Sequence, residues 1–193
     1  MRLLIARHGQ TAWNVQGKAQ GHSDIPLDET GEAQARALAI ALEGQSIERV
    51  VSSDLLRARQ TAEAVAGPLG LTVETRHDLR ERSFGEWEGR HYTEVIALLD
   101  ALPGDRLHAR APGGESFTDL WERVGPAVEE LRASDRTTLV VCHGALKATL
   151  LARLLDGTLD TARFFRFPNC ALTSFGRRSD GTLYLERYAE TFA

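Results

Sequence analysis

Two arginines and two histidines stand just past the ends of three apolar runs in this 193-residue chain. RLLIA is followed by Arg7, His8 and Gly9. ERVVSS is followed by Asp54, with Arg57 three residues on. TTLVVC is followed by His143 and Gly144. A strand that only fills a core has no need of a cation and an imidazole at its exit. Two guanidiniums offer planar forks of donors that match phosphate oxygens bidentately. Two imidazoles add a nucleophile and a further donor. Gly144, lacking a side chain, lets a ligand approach His143 closely. If Arg7, His8, Arg57 and His143 meet, the set suits a phosphoryl group better than a carboxylate, which needs fewer donors.

The elements that must bring them together read as alternating strands and helices. RLLIA is a short buried strand. Asp28 caps a helix through about residue 43, with Ala35, Leu38, Ala39 and Leu42 at helical spacing. ERVVSS is a second strand, and Ser53 or Asp54 caps a helix whose stripe is Leu55, Ala58, Ala62 and Val65. Gly67-Pro68 stops it. LTVET is a third strand. Ser116 or Glu115 starts a longer helix through about 133, TTLVVCHG is a fourth strand, and ALKATLLARLL a fourth helix. ALTSFG and LYLERY are late strands. The pattern predicts an α/β fold, a three-layer α/β/α sandwich with a mostly parallel central sheet. It also predicts one domain over 1–193, with a lid-like insertion at about 86–115 that holds a short helix near TEVIALLDAL. Ligands of such sheets bind beyond the carboxyl ends of the strands, where all three polar strand exits lie. Helix N-termini after Ser53 and His143 would add partial positive charge there.

Bulk properties narrow the partners. Hydrophobic residues make up 42% and charged residues 26%, as in an ordinary globular chain. The formal net charge of −4 argues against a nucleic-acid binder held by phosphate electrostatics. No stretch approaches membrane-span length, and the N-terminus lacks a leader's apolar core and cleavage site, so the expected location is cytoplasmic. Cys142 and Cys170 fit neither a disulfide framework nor zinc spacing and read as buried small hydrophobes. A cysteine phosphatase fails on spacing, because its arginine position holds Ala148 or Gly176. The P-loop fails because Gly17-Lys18 is followed by Ala19, with Ala12 at the first glycine position. No metal cluster or H-E-x-x-H pattern is present, and no cofactor is called for. A homodimer is compatible with the chain but not specified by it.

The motifs then become specific. ARHGQTAWN resembles the R-H-G-[ET]-x-x-x-N signature of the histidine phosphatase superfamily, the phosphoglycerate-mutase-like proteins. The match continues through Gln20-Gly21, DIPLDETGEAQA, SSDLLRARQTA, LRERSFGEWEG, PGGES and VVCHG, in family order. The resemblance implies that His8 is the nucleophile that becomes a phosphohistidine, with a partner on its other ring nitrogen to fix the tautomer. Arg7, Arg57 and His143 would stabilise the transferring oxygens, each worth roughly 3–4 kcal/mol by deletion. Asn14 and Gln20 match phosphate-contacting positions, and Gly144 belongs to the same substrate-binding set. Glu81 matches the family's general acid, with Glu86 and Glu88 as neighbours competing for that role. Arg59 likewise competes with Arg57. Trp13 and Trp87 could shape the pocket, although large aromatics more often simply pack. Arg106, His108 and Arg110 read as a solvated face.

The superfamily holds hydrolases and mutases. The phosphoglycerate mutases carry a longer segment after the acid, with an adjacent arginine pair that grips the substrate carboxylate. Here that segment is short, and Arg106 and Arg110 are not adjacent. The expectation is therefore a metal-independent phosphoric monoester hydrolase acting on a small phosphorylated metabolite. A phosphoglycerate mutase is the alternative. A non-catalytic phospho-ligand binder is the second, disfavoured because no expected catalytic position is lost.

Overall fold

A computed structural model describes residues 1–192. The elements run β1 (Arg2–Arg7), α1 (Ala12–Val15), α2 (Glu29–Ala41), β2 (Arg49–Ser53), α3 (Leu56–Ala66), β3 (Val73–Arg76), α4 (Tyr92–Asp100), α5 (Phe117–Ala133), β4 (Thr138–Cys142), α6 (Gly144–Leu154), α7 (Leu159–Ala162), β5 (Leu172–Arg177) and β6 (Leu183–Glu190). The six strands form one sheet in the order β3-β2-β4-β1-β5-β6. The first four strands are parallel, and β5 and β6 extend the sheet antiparallel beyond β1.

Strand alternation divides the core in two. Leu3 and Ile5 of β1 face α5 and α6, packing with Leu120, Val124, Leu146 and Leu150. Leu4 and Ala6 face the other way, onto Ala35 and Leu38 of α2 and Ala58 and Ala62 of α3. Both faces are covered, which explains why these strands read as continuous apolar runs rather than alternating ones. Among the described residues no helix is long and apolar enough to cross a membrane.

Helix starts agree with the sequence in α2 and α5. Asp28 caps α2 by accepting from Gly31 N–H at 2.8 Å, and Ser116 caps α5 in a reciprocal box with Asp119. The start of α3 differs. Its N-cap is Leu55, not Ser53 or Asp54, and no side chain of its own caps it. Asp54 is drawn into a two-pronged pair with Arg80, 2.7 Å at each contact. The first-turn N–H of Leu56 donates instead to Asp24 from a distant loop, at 2.6 Å. A tertiary carboxylate replaces the local cap, and no local pattern encodes that. The four-residue α1, in what reads as a polar loop, is closed by a capping box between Thr11 and Asn14.

The 86–115 segment folds into a 3₁₀ turn (Gly85–Trp87), α4 and a return loop. Val95 and Leu99 of α4 pack with Ala19, Phe84 and Ala109 in a small cluster apart from the two main cores. Backbone bonds from Gly89 N–H to Ala19 O (2.9 Å) and Tyr92 N–H to Gly17 O (2.7 Å) fasten it to the α1 loop.

The turn after His8 is wedged against the first turn of α2. A Cβ on Gly31 would lie 2.0 Å from Gln10 O, and one on Gly9 would lie 2.5 Å from Gly31 O. Both contacts are backbone, so neither neighbour can swing aside. Gly31→Ala should therefore destabilise by about 1–3 kcal/mol, measured by denaturant unfolding, and should displace the His8 turn enough to lower any activity that depends on it.

Candidate active site

Parallel pairing of β1 with β4 sets Arg7 level with Cys142, so the next residue of each strand, His8 and His143, emerges side by side. His8 N–H donates to Cys142 O at 2.9 Å, and the two imidazole centroids lie 5.1 Å apart. Both residues are buried. His8 Nδ1 lies 2.7 Å from Gly9 O. A carbonyl can only accept, so Nδ1 carries the proton and Nε2 keeps its lone pair. Burial, followed by the charges of Arg57 and Arg7, holds His8 well below the usual histidine range. Burial, Arg57, His8 and Arg7 do the same to His143. Both rings are therefore neutral near pH 7, and His8 Nε2 carries a free lone pair.

The guanidiniums are held by carbonyls, not by carboxylates. Arg57, in the first turn of α3, is 1% exposed. It donates from Nη1 to Ser23 O and from Nη2 to Gly21 O, each at 2.8 Å. Desolvation brings it down to about 10, still protonated at neutral pH. Arg7 donates from Nη1 to Phe167 O at 2.7 Å. Neither arginine forms an ion pair among the described residues. Arg7 Nε, Arg57 Nε and both ring nitrogens of His143 are shut off from solvent with no hydrogen-bond partner among those residues. Leaving a buried donor unpaired costs about 1–3 kcal/mol each. Such a convergence around one free imidazole nitrogen is a site built for an anion with several oxygens.

Glu81 reaches the same place from the segment after β3. Its Oε1 accepts from Arg82 N–H (2.9 Å) and Leu146 N–H (3.0 Å), and its Oε2 accepts from Ala145 N–H (3.1 Å). The carboxylate thus sits on the first turn of α6, where the helix presents partial positive charge. A Cβ on Gly144 would lie 3.6 Å from Glu81 Oε2 and 3.8 Å from Arg7 Nε, which places Gly144 between the acid and the cation. Two further groups fix the Glu81 backbone: His22 Nε2 and Arg123 Nη2 both donate to Glu81 O, at 2.9 and 3.1 Å.

The competing residues go elsewhere. Glu88 accepts from His22 N–H and Ser23 Oγ, at 2.8 and 2.6 Å, as the tie between the lid segment and the Arg57-binding loop. Glu86 is exposed. Arg59 faces Glu63 on the surface of α3. Arg106, His108 and Arg110 are exposed, the two arginines facing Asp100 and Asp119 at 3.2 Å. Trp13 lies under Gly89 and Trp87 packs on the α4 cluster. Asn14 and Gln20 both attach to Thr11. Asn14 Oδ1 accepts from Thr11 N–H at 3.1 Å and from Asn169 Nδ2 at 3.2 Å, and the one proton of Thr11 Oγ1 has Asn14 Oδ1 and Gln20 Oε1 as alternative acceptors, each at 3.1 Å. With its oxygen occupied, Asn14 has its amide nitrogen left to offer an anion.

Sequence reasoning missed the His22 and Arg123 support of Glu81, and Asn169, which donates to His8 O at 3.0 Å and to Asn14 Oδ1 at 3.2 Å. No periodicity or spacing singles these out, because their partners are 42 to 161 residues away.

The chain is similar to known proteins over nearly its whole length. The profile of the histidine phosphatase superfamily (branch 1) matches residues 3–191. A probable phosphoglycerate mutase, GpmB, of Yersinia pestis (strain Pestoides F) is 36% identical over 180 residues, 90% of this chain and 83% of that protein. A solved mycobacterial glucosyl-3-phosphoglycerate phosphatase superposes with a TM-score of 0.84 at 32% identity, covering 98% of this chain and 99% of its own. A putative α-ribazole-5′-P phosphatase from Escherichia coli K-12 superposes with a TM-score of 0.90 at 31% identity, covering 98% and 96%.

The two buried histidines give a pH test. Their folded pKa values lie below the unfolded value, so the unfolded chain binds protons that the native chain refuses as pH falls below about 6.5. Stability should be highest above that pH and decline toward pH 5 by roughly 1.4 kcal/mol per unit for each histidine. Thermal unfolding in phosphate-free buffer should show this decline, and it should be shallower in His143→Gln.

Proposed function

This chain belongs to branch 1 of the histidine phosphatase superfamily, and from that premise we propose that it hydrolyses phosphoric monoesters of small metabolites through a phosphohistidine on His8. The observation that carries the reading is the set of unpartnered, solvent-shielded donors on Arg7, Arg57 and His143, arranged around a His8 whose Nδ1–H is tied to Gly9 O. His8 Nε2 attacks phosphorus, and the bond from phosphorus to the ester oxygen breaks on the opposite side. Arg7, Arg57 and His143 hold the three equatorial oxygens, whose charge is concentrated in a dry site and so bound most strongly in the transition state. Asn14 and Gln20 add amide donors. Glu81, beside the site at the start of α6, gives its proton to the leaving alkoxide. It then takes a proton from the water that attacks phosphohistidine, which returns His8 and releases phosphate. The cations of the chain supply the positive charge that this chemistry needs, and the reading requires no metal or organic cofactor. The substrate proposed is a small phosphorylated molecule.

Hydrolysis is preferred to phosphoryl rearrangement because the lid offers no free arginine pair. Arg106 and Arg110 are exposed and each faces an aspartate. The second reading, phosphoglycerate mutase, draws on the name of the Yersinia relative and on Arg82. That residue is buried between the Phe84 and Phe117 rings (4.6 and 4.1 Å) with its Nε unpartnered. A cation beside the acid could hold a second anionic group of a substrate.

Two experiments test the reading. Phosphate release from p-nitrophenyl phosphate in excess EDTA should persist in the wild type and disappear in His8→Ala. Incubation with phosphoglycerate isomers should then separate the readings: release of phosphate supports the hydrolase, whereas isomer interconversion without release supports the mutase. Glu81→Gln should slow hydrolysis of alkyl phosphates, whose leaving group needs a proton, by about 10²–10⁴-fold. It should slow p-nitrophenyl phosphate far less, and equal losses on the two would remove Glu81 from the acid role.

A further inference from the structure

Lys147, one turn into α6, is 0% exposed and forms no ion pair among the described residues. Its Nζ donates to Ala171 O at 2.6 Å and stands 4.3 Å from the centroid of the Phe167 ring. These contacts grip the two ends of one segment, residues 167–171. Between them Cys170 adopts a φ of +53°, a left-handed conformation that a residue with a Cβ rarely holds unless its surroundings impose it.

That segment is what holds the nucleophile's strand exit. Phe167 O accepts from Arg7 Nη1 at 2.7 Å. Ala171 O, besides binding Lys147, accepts from Arg7 N–H at 3.2 Å. Asn169 Nδ2 and Cys170 N–H both donate to His8 O, at 3.0 and 3.2 Å, and Asn169 also reaches Asn14 Oδ1 at 3.2 Å. A wholly buried amine is a costly way to fill a core position that an apolar side chain of similar length would occupy more favourably. Its presence beneath this segment calls for a reason other than stability.

We propose that Lys147 is a positioning residue: its buried ammonium, clamped between Ala171 O and the Phe167 ring, braces residues 167–171 and thereby fixes Arg7 and His8 for reaction with an anion. The inference rests on the phosphoryl-transfer reading of the site. The groups that face the ammonium are Arg7 from β1, Cys142 from β4 and Cys170 from the braced segment. Burial pushes both thiols up to about 12, so they remain neutral and leave the ammonium without a counter-ion. Desolvation brings Lys147 down to about 7. The neutral amine still donates to Ala171 O but loses the cation–π contact, so the brace should weaken as pH rises through neutrality.

The test compares wild type, Lys147→Met and Phe167→Leu. Thermal unfolding, affinity for inorganic phosphate, and kcat and KM on p-nitrophenyl phosphate from pH 5 to 9 are measured for each. Lys147→Met should unfold at the same temperature as wild type or higher. Its kcat should fall by roughly 10²-fold, as expected when reacting groups are misplaced by about 1 Å, and its phosphate affinity should drop. The wild type should lose kcat above about pH 7 on a limb that is absent in Lys147→Met. Phe167→Leu, which removes only the ring, should move that limb in the same sense and serves if Lys147→Met does not fold. The ¹⁵N shifts of the His8 ring, which require no turnover, should move in the variants. Unchanged His8 shifts, phosphate affinity and pH profile in a folded Lys147→Met would overturn the proposal while leaving the phosphatase reading intact. A wild type inert toward all phosphate esters would count against the reading, and the His8 shifts would then decide the brace alone.

Discussion

Everything in this molecule turns on holding cationic and neutral donors together at the carboxyl edge of a sheet without neutralising them. Arg57 is almost wholly enclosed, yet its partners are the carbonyls of Gly21 and Ser23, not a carboxylate. Carbonyl dipoles orient a guanidinium without cancelling its charge. A carboxylate in the same place would have closed the site to a phosphoryl group. Burial, reinforced by the same cations, keeps His8 and His143 neutral. On the proposed reading, one buried arrangement thus serves both the anion hole and the nucleophile.

The loops are explained by this requirement. The 20–24 loop lends two carbonyls to Arg57 and a carboxylate, Asp24, to the first turn of α3. Glu88 anchors that loop from the lid segment by bonds to His22 and Ser23. His22 in turn supports the Glu81 carbonyl. Glu81, Arg57 and the 86–115 segment are thus parts of one hydrogen-bonded unit. On the opposite side, residues 167–171 perform the equivalent service for Arg7 and His8.

Glu81 occupies a position with two consequences. Bound to the N–H groups of Ala145 and Leu146, it takes the anion-favouring start of α6 for itself. It also places its carboxylate beside Gly144, close to Arg7 Nε. On the proposed reading, a group there exchanges a proton with the leaving or attacking oxygen while staying apart from the donors that hold the phosphoryl oxygens.

The amino-acid sequence by itself determined the sandwich, the strand exits that carry Arg7, His8 and His143, and the placement of Arg57 on the first turn of α3. Those features follow from apolar runs, helical spacing and short motifs, which are local and survive in one dimension. Tertiary structure alone decided what holds those residues. The cap of α3 comes from Asp24, the seats of Arg57 from Gly21 and Ser23, the support of Glu81 from His22 and Arg123, and the brace on His8 from Asn169 and Cys170. Lys147 reads in sequence as one more polar residue in a helix, and its isolation from water appears only once β4, β5 and α6 close around it. The physical reason is the same in each case. A backbone carbonyl is present at every residue and a carboxylate at many, so which of them meets a given donor is set by chain closure in three dimensions and leaves no mark on local pattern.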